Sequence, residues 1–192
     1  MRHTKIGADG VRHLHTLGPH GTNLEAASHE WLRRRGVRGT VELHSSIESA
    51  LDAVPDDGQH ALVACAVYPE LHTLVFGNLH RLHMVDSFIM PTHNMVLATN
   101  GVDMPAAVAS HPAPTGLVPV GTEIQEVLSN SRAAIECAEG RVEGCITTIV
   151  AAENHGLRVV RDFGAVPMVF TVHQVLAVGA EDEQRLPVGA AL

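Results

Sequence analysis

The sequence predicts an α/β protein built as two small lobes, and three observations predict it. Apolar runs suited to strands alternate with amphipathic stretches suited to helices. The alternation occurs twice along the chain, and the connections between successive strand-like runs are too long for hairpins. The chain has 192 residues, enough to bury a substantial core. Hydrophobic residues make up 45% and charged residues 18%, a soluble globular balance, while aromatics are only 3%, so Leu, Val, Ile, Ala and Met must build the core.

Residues 11–17 read as the first strand. A glycine turn follows, then a helix from Asn23 to Arg35 with Leu24, Ala26, Ala27 and Trp31 on its apolar face and Gly36 as its stop. "GTVELHSS" is a second strand. "SIESALDAVPDDG" is a helix with Ser45 or Ser46 as N-cap and Ile47, Leu51 and Val54 on one side. "HALVACAVY" is almost continuously apolar, as in a strand buried on both faces of a parallel sheet. In the second cycle "NMVLATN" and "AAVASHP" are strands and "EVLSNS" ends another. "SRAAIECAEGR" is a helix capped by Ser129 or Ser131, and "GCITTIVAAENHG" passes from strand into a helix that stops at Gly156. "LRVVRDF" and "PMVFTVHQVLAV" are late strands, and "GAEDEQRLPVGAAL" is a polar, then small-residue tail. No linker rich in Pro, Gly or Ser separates the cycles. The expected lobes are therefore 1–85 with 167–192, and 86–166, joined by crossing strands. A cleft between such lobes suits a small molecule.

Composition excludes several classes of function. No apolar run approaches the ~18–20 residues of a membrane span, and the N-terminus lacks the apolar core of a signal peptide, so a cytoplasmic protein is expected. A formal net charge of −8 with one lysine argues against nucleic-acid binding. The same charge means that an anionic substrate must be held by local devices. Cys65, Cys137 and Cys145 lack C-x-x-C spacing and read as buried, reduced thiols. Fourteen histidines are the compositional oddity. His13-x-His15 and His80-x-x-His83 have ligand-like spacing, but neither pair has cysteine or acidic partners at spacings that specify a site. His13 and His15 on a strand would share one face, yet two ligands are not a site, and no metal is expected.

"HTLGPHGTNLEAA", residues 15–27, carries the first chemical signal. A strand–glycine turn–helix junction presents unsatisfied N–H groups and the positive end of a helix dipole, which suits a carboxylate or phosphate. Around His20, Gly21 permits close backbone approach, and Thr22 and Asn23 either add side-chain donors or simply cap the helix. "SNSRAA" repeats the design, with Ser129, Asn130 and Ser131 at a helix start and Arg132 in its first turn. An arginine there opposes the helix dipole, so it faces either a bound anion or solvent. Thr147 and Thr148, between strand and helix, supply a third polar edge. Two such helix starts would clamp a molecule with two carboxylates.

Three of these stretches carry a resemblance. "TLGPHGTNLEAA" resembles the N-terminal signature of prephenate dehydratases, and "ASHPAP" around His111 resembles the Ser-His-Pro of that superfamily. "SNSRAAIECAEGRVEGCITTIVAAENHGLRVVRDFGAVPM" is similar to the superfamily's non-aromatising branch, the prephenate decarboxylases of bacilysin-type antibiotic pathways. The resemblance runs from about Leu14 to His173, weaker in the middle. It implies a two-lobed fold like type-2 periplasmic binding proteins, as in prephenate dehydratase catalytic domains, with no regulatory domain. It also implies prephenate as substrate and no metal or organic cofactor. The ligand positions it implies are Thr22, Asn23, Ser129 to Arg132, Thr147 and Thr148.

Dehydratases carry Thr-Arg-Phe near the end of the catalytic domain, where this chain reads "PMVFTVH" without the arginine. Their Glu-Asn-Ser after the third strand is replaced here by "ACAVY". A decarboxylase that spares the ring hydroxyl must withhold an acid from that oxygen and deliver a proton to a ring carbon as CO2 leaves, so these losses fit decarboxylation. His111 and His93 are candidate proton donors, and Thr171 is a candidate replacement for the missing hydroxyl. The expected function is non-aromatising decarboxylation of prephenate for a non-proteinogenic amino acid or antibiotic. The alternatives are a dehydratase giving phenylpyruvate and a non-catalytic binder of small carboxylates. No nucleic acid or membrane partner is expected, and a homodimer is left open.

Overall fold

The computed structural model describes residues 6–176, so the tail read at 179–192 lies outside the described residues. The first elements are β1 (His13–Leu17), α1 (Asn23–Arg35), β2 (Thr40–His44), α2 (Ile47–Ala53), β3 (Asp57–Cys65), α3 (Leu71–Gly77) and β4 (Leu82–Pro91). There follow β5 (Met95–Thr99), β6 (Ala107–Ser110), β7 (Glu123–Glu126), α4 (Asn130–Ala138), β8 (Gly144–Thr148), α5 (Ile149–Asn154), β9 (Arg158–Gly164) and β10 (Pro167–Leu176). Two compact units result. Among the described residues, one comprises 6–17, Ala27–Phe88 and 169–176; the other comprises Gly18–Ala26 and Ile89–Met168.

The first unit is a five-stranded sheet in the order β2-β1-β3-β10-β4. β1 lies parallel to β2 and β3, as the β-α-β-α-β order requires. The sequence reading puts β3 in a parallel sheet; the structure pairs it parallel with β1 on one side and antiparallel with β10 on the other, because the chain re-enters this sheet from the opposite direction. The strand also starts earlier than "HALVACAVY" implies and stops at Cys65, where Tyr68 N–H donates back to the Cys65 carbonyl and turns the chain. Ala61, Leu62, Val63 and Ala64 are buried, which agrees with coverage on both faces. Neither α3 nor β4 is legible from periodicity in residues 69–91.

α2 starts where its chemistry dictates. Ser46 accepts from Ser49 N–H, and the Ser49 hydroxyl accepts from Ser46 N–H, a reciprocal capping box that contributes on the order of 1 kcal/mol. Ile47, Leu51 and Val54 then pack with Leu62, Leu74, Leu82 and Val175. α1 buries Ala27, Ser28, Trp31 and Leu32, and the Trp31 indole N–H donates to Asp86 at 2.8 Å.

The second unit is a five-stranded sheet in the order β7-β6-β8-β5-β9. β6 is parallel to β7 and β8, while β5 runs antiparallel to β8 and β9. Its core is made of small side chains: Val96, Ala98, Ala109, Ala133, Ala134, Cys137, Val142, Cys145, Ala151 and Ala152. Alanines at the helix–sheet contact let α4 sit close on the strands, which is how a chain poor in aromatics fills a core. Cys137 and Cys145 are buried free thiols, and the neighbouring Cys137 thiol, with burial second, raises Cys145 so that it stays protonated.

His173 in β10 is 3% exposed; its Nε2–H donates to the Thr171 hydroxyl at 2.9 Å, and its Nδ1 is buried without a partner among the described residues. Burial lowers its pKa from 6.5 to about 4. Between these values the unfolded chain takes up a proton that the folded chain refuses. The stability linked to His173 is therefore complete above pH 6.5 and falls as the pH drops toward 4. Denaturant titrations at pH 7 and pH 4.5 should show that His173→Asn removes part of the wild-type loss, on the order of 2–3 kcal/mol. An unchanged pH slope would contradict this account.

Candidate active site

The second unit gathers its polar residues along one edge of its sheet. β6, β7 and β8 are parallel, and their carboxyl ends deliver His111, Ser129 and Thr148 to that edge. β5 runs the other way, and Met95 at its start pairs with Thr148, so His93 and Asn94 reach the same edge. Ligands in open α/β sheets bind at the carboxyl ends of the strands, where helix N-termini converge. Of the thirteen residues read as candidates from sequence, all but Thr171 belong to this unit.

The turn before α1 is closed on itself. Gly21 has φ +83°, a left-handed conformation that favours glycine. Its N–H donates to Glu25 Oε2 at 2.6 Å, and Glu25 Oε1 pairs with the exposed His20 ring at 2.7 Å. The Thr22 hydroxyl accepts from Glu25 N–H at 3.2 Å, an N-cap. The anion seated at this turn is thus the chain's own Glu25. The Asn23 side-chain oxygen accepts from His93 N–H at 2.8 Å, which ties the turn to the segment before β5. The sequence reading did not single out Glu25, although the Thr22-x-x-Glu25 spacing is a capping-box signature that could have found it. The Asn23–His93 bond joins residues 70 positions apart, and no local pattern announces it.

α4 begins differently. The Ser129 hydroxyl accepts from Arg132 N–H at 3.0 Å, which satisfies the third N–H of the helix. The N–H groups of Asn130 and Ser131 have no acceptor among the described residues. Asn130 Oδ1 is likewise buried without a partner, and its Nδ2 makes only a 3.8 Å contact to Met95 Sδ. The carboxylate that Arg132 faces is Glu136, at 2.5 Å one turn along. Arg141 also pairs with Glu136, and the two guanidinium groups hold the Glu136 carboxyl below its usual range, Arg141 more strongly.

Thr147 and Thr148 complete the corner. The Thr147 hydroxyl donates to the Asn130 carbonyl at 2.7 Å, which fixes the α4 start against the end of β8. Thr148 caps α5 by accepting from Ala151 N–H at 3.2 Å, and Ile149 N–H donates to the Asn94 carbonyl at 2.8 Å. Hydrogen bonds therefore run from Thr147 to the α4 start and from the α5 start to Asn94, while Asn23 holds His93.

His111 lies just past β6. Its Nδ1 accepts from Ala113 N–H at 3.2 Å, so the neutral ring carries its proton on Nε2. Burial lowers its pKa, partly offset by Glu126, and keeps it neutral at pH 7. Thr171 belongs to the first unit, where its hydroxyl donates to the Ala64 carbonyl at 3.4 Å and accepts from His173.

No established family profile matches the chain. A prephenate decarboxylase of Bacillus amyloliquefaciens is 23% identical over 172 residues, covering 83% of this chain and 84% of that protein. The prephenate decarboxylase of Bacillus subtilis strain 168 is 23% identical over 185 residues, covering 88% and 91%. The chain is similar to prephenate decarboxylases. In fold it matches a prephenate dehydratase of Staphylococcus aureus with a TM-score of 0.59 at 16% identity, over 84% of this chain and 66% of that one. It also matches the periplasmic VFT2 domain of Bordetella pertussis BvgS, with a TM-score of 0.52 at 13% identity over 86% and 81%. At these identities the structures establish a shared α/β architecture of two sheets, the one the sequence predicts.

Gly21 tests how strictly the first turn is built. A Cβ there would lie 3.3 Å from both Asn154 Nδ2 and Val150 Cγ1, in a backbone conformation that L residues rarely adopt. Gly21→Ala should therefore lower stability by about 1–2 kcal/mol in denaturant titration. A neutral result would show that the turn relaxes freely.

Proposed function

We propose that this chain decarboxylates prephenate without aromatising its ring, giving a dihydro-4-hydroxyphenylpyruvate. The observation that carries the reading is the similarity to prephenate decarboxylases over 83% of the chain. The backbone donors along the edge of the second unit's sheet support it. One substrate carboxylate accepts from Asn130 N–H and Ser131 N–H at the α4 start, in the favourable field of the helix dipole. The Asn130 amide adds a polar group at the same corner, and Thr147 and Thr148 hold that corner in shape. With a net charge of −8, this local device must overcome the field of the whole molecule.

In the reaction the bond to the ring carboxylate breaks and leaves as CO2. Its electron pair moves through the ring double bond, and a ring carbon takes up one proton. The ring hydroxyl stays because no acid serves it. The neutral His111, with Nε2–H as its donor, suits a hydrogen bond to a carboxylate better than proton delivery. His93, held through its backbone by Asn23, is the proposed proton donor. Thr171, its hydroxyl engaged by Ala64 and His173, does not stand in for the dehydratase hydroxyl in this reading. The proposal extends to a cytoplasmic enzyme of antibiotic or non-proteinogenic amino-acid biosynthesis; no helix among the described residues is long and apolar enough to cross a membrane.

Incubation with prephenate should release CO2 and give a product that retains the ring oxygen, read by mass. Phenylpyruvate would instead identify a dehydratase, and unchanged prephenate would reject catalysis. Ser129→Asp separates binding from capping. Aspartate caps as well as serine and suits the helix dipole, so thermal stability should be kept or raised. The added charge opposes a carboxylate at the α4 start, so KM for prephenate should rise about tenfold, whereas Ser129→Asn should leave it near wild type. Equal KM in both variants would remove the carboxylate from the α4 start.

A further inference from the structure

The first unit assembles a second polar constellation that the proposed reaction does not use. His13 and His15 alternate along β1 and share a face. The parallel register places Glu42 beside His15 and His44 beside Leu17 on β2, and His60 beside His13 on β3. Imidazole and carboxylate groups from three adjacent strands thus crowd one face of the sheet. His15 Nδ1 lies 3.0 Å from His44 Nε2 and 3.6 Å from Glu42 Oε2, and the three ligand atoms all lie within 4.8 Å of one another. Tetrahedral zinc with ligand bonds of about 2.0–2.1 Å separates its ligand atoms by about 3.3–3.4 Å. The two separations from His15, 3.0 and 3.6 Å, lie on either side of that spacing.

The hydrogen bonds around His15 point the same way. Its Nε2 lies 2.8 Å from His60 Nδ1, and His60 Nε2 lies 3.9 Å from Asp57 Oδ2. With the His60 proton on Nε2 toward Asp57, His60 Nδ1 accepts from His15 Nε2–H. The lone pair of His15 Nδ1 is then turned toward His44 and Glu42. A metal-binding histidine ordinarily donates its far N–H to an acceptor that fixes its tautomer and ring orientation, and His60 Nδ1 supplies such an acceptor to His15. His13 stacks on His60 at 4.7 Å between ring centroids and fixes that ring's plane.

We propose that His15, Glu42 and His44 bind a divalent transition-metal ion of the zinc class, with His60 and Asp57 orienting His15. Two imidazoles and one carboxylate suit zinc and its neighbours. Calcium and magnesium demand oxygen donors, and copper(I) prefers sulfur. Three protein ligands leave a position for water, and the Glu42 side chain is 66% exposed, so the site opens to solvent. His15 comes from β1 and the other two ligands from β2, the edge strand of this sheet. The ion therefore staples the edge strand to its neighbour, and its binding stabilises the fold.

The test uses the full chain, free of affinity tags and treated with chelator, with zinc or cobalt(II) as the only addition. Titration calorimetry with zinc should show one ion per chain at micromolar affinity or tighter, with a rise in melting temperature. Cobalt(II) should give the intense visible bands of a four-coordinate site. Glu42→Gln and His44→Asn remove the two ligands outside the buried ring of His15, and each should weaken binding at least about tenfold while the chain stays folded by circular dichroism. His80→Asn with His83→Asn, which removes the other ligand-spaced pair, should change nothing. The proposal is overturned by absence of stoichiometric binding at tens of micromolar zinc, by undiminished binding in Glu42→Gln and His44→Asn, or by loss of binding in the His80/His83 variant. None of these readouts involves prephenate, so they stand or fall apart from the decarboxylase reading.

Discussion

The first N–H groups of a helix have no acceptor inside the helix, and the organisation of the second unit follows from how each helix start answers that need. At α1 the answer is internal: Thr22 accepts one N–H, and Glu25 folds back onto Gly21. At α5 Thr148 takes one N–H and the Asn94 carbonyl takes another. At α4 Ser129 satisfies only the Arg132 N–H. The α4 start is thus the place where the fold keeps positive partial charge in reserve, and Thr147 locks it in position through the Asn130 carbonyl.

Charge gives this local reserve its weight in the proposed reading. The chain carries a net charge of −8, and its arginines are largely committed to carboxylates of its own: Arg132 and Arg141 to Glu136, Arg33 and Arg34 to Glu30, Arg158 to Asp103. A small anion is therefore better met by backbone N–H groups than by a guanidinium, because oriented amides add attraction without drawing on that balance. The same economy appears in the histidines. Burial keeps His111 and His173 neutral, so they act as hydrogen-bonding groups rather than as charges near neutral pH.

Much of this was legible in sequence because it is local. The helix from Asn23 to Arg35 appears with the bounds that periodicity predicts, Ser46 and Ser129 cap the helices they precede, and the second cycle of strands follows in the expected order. Each of these depends on neighbours within about four residues, the range over which capping and helical periodicity operate. α3 and β4 were not legible, because residues 69–91 show neither a clean helical nor a clean alternating pattern; β4 alternates only between half-buried and exposed positions after Leu82. Arg132 illustrates the limit within reach of a local rule: its partner Glu136 is one helical turn away, and the i, i+4 spacing marks the pair.

Neighbouring residues alone were enough to give the α/β class, two cycles of strands and helices, and the helix starts. Long-range contacts were needed to fix which helix start keeps its N–H groups, that His93 hangs from Asn23, that β10 returns antiparallel beside β3, and that four histidines meet across β1, β2 and β3. The division has one physical reason. Helix periodicity and capping are short-range and written in adjacent residues, whereas strand register is set by burial of a whole face, so residues distant in sequence become neighbours only when the sheet closes.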